Sequence, residues 1–236
     1  MLKPRQQKLQ SRPWLDLRLT KETMNYLWDI INHTDQQADP RREVGGPNSD
    51  SYFIQDNKDN WFYKNTLREC SEALFFKDWD NYYNIHVLRG TPPPIFELTE
   101  MWVNQQKQNE VNPAHVHGGN FSFVIFMKIP THWKEQHALP INKNVQPRFT
   151  SNFQFLLPAN DSKGGTTIEL VDFKLSPEDE GRMLFFPADL THLVYPFYGT
   201  KEKRITISGN IFLSPAWLKK QNPDDESGDW DCRESE

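Results

Sequence analysis

The chain of 236 residues has only two cysteines. Cys70 and Cys232 stand far apart and form neither a CxxC pair nor a disulfide framework, so a reducing, intracellular setting is expected. Long apolar runs are also missing. No stretch approaches the roughly 20 apolar residues that a membrane helix needs. The polar opening, Met1 to Lys8, lacks the apolar core of a secretory leader. A soluble cytoplasmic protein is therefore expected, in the host cytoplasm if the gene is viral, with no membrane partner. There is no excess of basic charge: the formal net charge is −5. That argues against a surface that coats nucleic acid. No internal repeat is visible.

Proline and aromatic residues are plentiful. Seventeen prolines and 13% aromatics favour a loop-rich, β-containing fold over a helical bundle. Pro13 to Leu19 reads as a short strand, and Thr20 as the N-cap of a helix to about Asn32 that buries Met24, Leu27, Ile30 and Ile31. The polar stretch 33–50 reads as a loop long enough to be functional or mobile. A strand at 51–54 leads into a second helical region over 59–79, with Trp61, Leu67, Leu74 and Phe75 on its buried side. An apolar run follows at 84–88, and strands are expected at 95–105, 121–129, 151–157, 166–173, 182–187, 192–197 and 203–213.

Strands that follow helices without alternating crossovers predict a mainly β fold, an antiparallel sandwich or barrel with supporting helices outside. The polar insert 130–147 reads as a lid. Three parts are expected: residues 1–94 as helical and strand support, 95–218 as the core, and 219–236 as an acidic disordered tail.

The chemistry concentrates in Asn112-Pro113-Ala114-His115-Val116-His117-Gly118-Gly119, which feeds the apolar run 121–126. Alternate residues of a strand share a face, so His115 and His117 can point together and form half a metal site. A second apolar run, 181–192, ends in His192, which supplies a distant third imidazole. Further on, Arg204, Thr206 and Ser208 alternate along one strand. An arginine there is costly to bury unpaired and calls for a carboxylate, from the protein or from a ligand, with Thr206 adding a hydroxyl.

His115-x-His117, a distant His192 and then Arg204-x-Thr206 resemble the iron(II)- and 2-oxoglutarate-dependent oxygenases. Trp102-x-Asn104 ahead of the histidine pair, Phe185-Phe186-Pro187 before His192, and Gly164-Gly165-Thr166-Thr167 narrow the resemblance to oxygenases common in bacteriophage genomes, close to the prolyl 4-hydroxylases. The resemblance covers roughly residues 95–213. It implies a double-stranded β-helix (jelly roll, cupin-like) core. It implies Fe(II) held by His115, His117 and His192, and 2-oxoglutarate held by Arg204 and Thr206 with Trp102 and Asn104 nearby. Ascorbate is an optional accessory reductant. The implied reaction is hydroxylation of an unactivated C–H coupled to decarboxylation of 2-oxoglutarate to succinate. A protein or peptide side chain, prolyl first, or a small molecule is the implied substrate.

One position departs from the pattern. Histidine 117 stands where the family usually has a carboxylate. Three neutral imidazoles leave Fe(II) its full charge, which dianionic 2-oxoglutarate would neutralise. A three-histidine set also suits zinc, or iron in a cupin-like enzyme that does not use 2-oxoglutarate. Asp189 is the nearest alternative acidic ligand, but three residues along a strand reverses the face. A non-catalytic, metal-stapled phage structural module is the rival from outside enzymes.

Overall fold

The computed structural model describes residues 14–34, 50–77, 94–160, 164–214 and 216. The apolar run 84–88, most of the loop 33–50, the acidic tail and Cys232 lie outside the described residues. Among the described residues, ten strands make two antiparallel sheets that together form a double-stranded β-helix. The larger sheet runs β1 (Leu15–Arg18), β8 (Arg182–Pro187), β5 (Phe121–Lys128), β10 (Arg204–Leu213), β3 (Phe96–Gln106) and β2 (Ser51–Phe53). The smaller runs β4 (Asn112–His115), β9 (His192–Val194), β6 (Phe153–Asn160) and β7 (Thr166–Phe173).

The unbroken apolar run of β5 follows from its place in the middle of the larger sheet, buried on both faces. Phe121, Phe123, Ile125 and Met127 face the helices, and Val124 and Phe126 face the smaller sheet. β8 divides in the same way, Met183 and Phe185 against Leu184 and Phe186. One core therefore lies outside the larger sheet, under α1 (Lys21–His33) and α3 (Arg68–Lys77). The other lies between the sheets and is rich in phenylalanine, with the Phe155 ring in contact with those of Phe153 and Phe186. Each such fully buried ring contributes about 1.5–3 kcal/mol.

Thr20 caps α1 by accepting from the Thr23 backbone N–H at 3.1 Å. The buried stripe is Thr23, Tyr26, Leu27, Ile30 and Ile31, with Met24 only partly covered. The second helical region is not one helix. It comprises a left-handed turn at Lys58, Asp59 and Asn60 inside α2 (Asn57–Phe62), a π-helical stretch Tyr63–Leu67, and α3. Asp56 ties this entry together. Its carboxylate accepts from the backbone N–H groups of Phe62 and Tyr63 and from the Tyr26 hydroxyl. Phe62, rather than Trp61, is the ring buried completely.

The polar insert carries α4 (Trp133–Ala138) and is anchored through buried polar groups. Gln136 donates to the Tyr198 carbonyl and accepts from the Tyr198 N–H, and His137 meets Asn152 at 3.1 Å. None of its residues lines the pocket described next.

Candidate metal centre

β4 lies in the smaller sheet and β5 in the larger one, so the chain crosses between sheets at 116–120. The crossing requires glycine. Gly119 has φ +94°, and a Cβ there would sit 2.8 Å from the Ile211 carbonyl oxygen. His115 ends β4 opposite His192 on β9, and His117 sits in the crossing, fixed by its N–H to the Ala188 carbonyl at 2.9 Å. The three side chains converge: one ligand nitrogen from each lies within 4.8 Å of the others.

The environment suits these rings as neutral donors. Burial lowers the pKa of each, and in His117 burial followed by the charge of His115 brings it down to about 4. The carbonyls of Pro113 and Leu190 lie 2.7 and 2.9 Å from Nδ1 of His115 and His192. A carbonyl can only accept, so each Nδ1 carries its proton and Nε2 keeps the lone pair that a metal needs. The cluster contains no carboxylate. Asp189, exposed on the turn after β8, is not part of it.

The histidines stand at one end of an open pocket between the sheets. One wall alternates along paired strands, with Ser208 opposite Trp102, Thr206 opposite Asn104 and Arg204 opposite Gln106. Trp102 is the histidine end, its ring 5.4 Å from that of His117. Arg204 is the far end. Four residue steps of strand separate Ser208 from Arg204, about 13 Å of wall.

Arg204 is 1% exposed. Its guanidinium donates to Gln106 Oε1 at 3.1 Å and to Ser151, and lies over the Phe197 ring. Nε has no partner, and no carboxylate among the described residues pairs with it. Burial pushes its pKa down to about 9, which leaves it a cation at neutral pH without a counter-ion. Every residue singled out in the sequence for metal or co-substrate thus borders one pocket. Gln106 and Asn112, which also border it, and Ser151, which holds Arg204, were not singled out. All are uncharged, and only their burial beside the site marks them.

A double-stranded β-helix with a histidine cluster at one end and a buried cation at the other defines a non-haem metal oxygenase scaffold. Residues 100–210, just under half of the chain, match the family model described as "putative 2OG-Fe(II) oxygenase". The chain is an oxidoreductase whose cofactors are Fe(II) and 2-oxoglutarate. The readings without 2-oxoglutarate or without catalysis give way to this one.

None of the curated proteins compared matches the chain. Among solved structures, a Pseudomonas putida prolyl-4-hydroxylase is 14% identical over 86% of this chain and 94% of its own, with a TM-score of 0.47. A viral collagen prolyl hydroxylase from Paramecium bursaria Chlorella virus-1 is 10% identical over 85% and 96%, with a TM-score of 0.43. HygX from Streptomyces hygroscopicus, solved with nickel and 2-oxoglutarate bound, is 12% identical over 86% and 83%, with a TM-score of 0.43. Among the described residues, no helix is long and apolar enough to cross a membrane.

Proposed function

We propose that the chain hydroxylates a protein or peptide side chain, with proline the first residue to test, and that it works in the cytoplasm. The proline assignment and a phage-type origin rest on the motif spelling around His115, His192 and Arg204. The observation that carries the site assignment is the buried, uncompensated Arg204 in the same pocket as the three histidines.

His115, His117 and His192 would hold the iron. The donor set fits: three imidazoles kept neutral by burial, at least two of them oriented by backbone carbonyls. The bound iron and 2-oxoglutarate supply the oxidising chemistry, in which O2 is consumed and the keto acid becomes succinate.

The chain's own residues position and shield. Arg204 takes the distal carboxylate as its missing counter-ion, so ligand binding removes the cost of a buried lone charge. Thr206 helps Arg204 hold that carboxylate, with Asn104 opposite it in the wall. Trp102 packs against His117 and keeps water from that side of the metal. Three neutral imidazoles leave the dication's charge to the ligand, so with Arg204 counted the pocket accepts a dianion without carrying net negative charge and without a protein carboxylate.

The test is to add 2-oxoglutarate to the Fe(II)-loaded protein without oxygen and follow the weak visible band of a chelated keto acid. Arg204→Met should lose the band at ligand concentrations that saturate the wild type. The affinity should fall by about 1.5–3 kcal/mol, the size of a charge-assisted hydrogen bond. Iron binding without a band in the wild type would overturn the assignment. Proline-containing peptides that fail to accelerate succinate formation would remove the prolyl part alone.

A further inference from the structure

The pocket contains a polar side chain that the roles above do not use. Asn112 is 8% exposed and lines the pocket, and its Oδ1 is shielded with no hydrogen-bond partner among the described residues. Leaving a buried amide unsatisfied costs about 1–3 kcal/mol. Such a group in a ligand pocket points to a partner that arrives with the ligand.

Its position narrows what that partner is. Asn112 pairs with Val194 and His115 with His192, so three residues on β4 span two on β9. The extra residue is a bulge, and it lets Asn112 and His115 share the pocket face despite being three apart. On β6, Phe155 lies level with His192 and Phe153 with Val194. Ser151, two residues further along, holds Arg204. Asn112 thus stands one step, about 7 Å of strand, from the histidines and one step from the arginine clamp. A ligand that reaches from metal to Arg204 must pass it.

We propose that Asn112 is a binding residue for 2-oxoglutarate, donating from Nδ2 to a carboxylate oxygen of the ligand between metal and Arg204. The inference rests on the reading of the pocket as the 2-oxoglutarate site. The ligand dianion offers only acceptors, so the carboxamide, whose two ends interchange by a half-turn, presents its NH2. That bond is charge-assisted and supplements Arg204 from the opposite sheet.

The experiment measures 2-oxoglutarate binding by calorimetry at pH 8 to Zn(II)-loaded protein, which binds without turning over. The variants are Asn112→Leu and Asn112→Asp, each with metal stoichiometry and melting temperature as folding controls. Leu removes the donor at similar volume and should weaken binding about tenfold, the worth of one such bond. Asp keeps an oxygen where Oδ1 is and replaces the donor by a carboxylate facing the ligand's own. It should weaken binding more than Leu does.

Wild-type affinity in both variants, with metal bound, overturns the proposal. Wild-type affinity in Asp with a loss in Leu also overturns it, because the acceptor and not the donor would then matter. If the wild-type protein binds metal but no 2-oxoglutarate, it is the reading of the pocket that fails.

Discussion

Arg204 and Ser151 are locked together: Nη2 of the arginine donates to the serine Oγ at 2.7 Å and to its carbonyl at 2.9 Å. Ser151 turns both oxygens toward the guanidinium because its backbone is left-handed, with φ +72°, and it is fully buried. A non-glycine residue in that conformation costs about 1–2 kcal/mol. The strain keeps Arg204 aimed into the pocket. Ser151→Gly and Ser151→Ala both lose the Oγ, but only glycine relieves the strain. Denaturant melts should therefore find the glycine variant more stable than the alanine variant by about 1 kcal/mol. Both should bind 2-oxoglutarate several-fold more weakly, about one lost hydrogen bond. Equal melts for the two variants would show that the φ angle stores nothing.

The charge balance at the metal yields a second prediction. His117→Asp replaces a neutral donor by an anionic one in a buried site. Metal should bind more tightly. The 2-oxoglutarate dianion should bind about tenfold more weakly, because the metal then offers it one unit less of positive charge. Competition with a chelator and calorimetry read the two effects separately. Undiminished ligand affinity would show that histidine at this position is not there for electrostatic balance. His192→Ala, by contrast, removes the donor at the deepest point of the cluster and should leave no stoichiometric metal binding.

Much of this fold is legible in the sequence because burial writes itself into patterns. β7 and β8 fall on the expected residues, β10 and β5 within one residue, and Thr20 caps α1 where a threonine before Lys21-Glu22 predicts. The histidines and Arg204 are legible because charged or ligating groups at an apolar strand's edge need a partner. Other features are hidden for physical reasons. The left-handed turn at Lys58, Asp59 and Asn60 uses residues that form ordinary helices elsewhere, and the interactions of Asp56, not local propensity, select it. The insert's polarity suggests a mobile lid, yet its Gln136, His137 and Asn142 are buried and hydrogen-bonded, which only tertiary structure reveals. Asn112 is masked by the β4 bulge: strict alternation would turn it away from His115. Ser151 carries no chemical signature until its φ is known.

Acid should loosen the far end of the pocket. Asp50 meets Lys203 at 2.8 Å and Lys107 at 3.0 Å, which straps the start of β2 to the strands that carry Arg204 and Gln106. Its pKa is lowered below 3.8, chiefly by the hydrogen bonds from Lys203 and Lys107. A depressed carboxylate stabilises the fold above its unfolded pKa and loses that contribution as pH falls through the folded value. Asp50→Asn should thus be slightly less stable than wild type at pH 7, by under about 1 kcal/mol given the exposure of the pair. The difference should vanish in the most acidic melts. A difference that persists unchanged there would assign Asp50 a role other than ion pairing.

The crossing at Gly119 ties fold to metal most directly. Alanine there would combine a left-handed backbone penalty with a Cβ at 2.8 Å from the Ile211 carbonyl oxygen and 3.0 Å from the Phe212 ring. Gly164 isolates the first term: its φ is +81°, but a Cβ would meet nothing within 4 Å. Gly164→Ala should cost about 1 kcal/mol and leave metal binding intact. Gly119→Ala should cost roughly 2–4 kcal/mol and weaken metal binding, because relief of the clash must shift the segment that presents His117. Melts and metal titrations on the pair decide it. If Gly119→Ala melts like Gly164→Ala and keeps its metal affinity, the chain can cross between sheets by another path, and the glycine does not position the histidine.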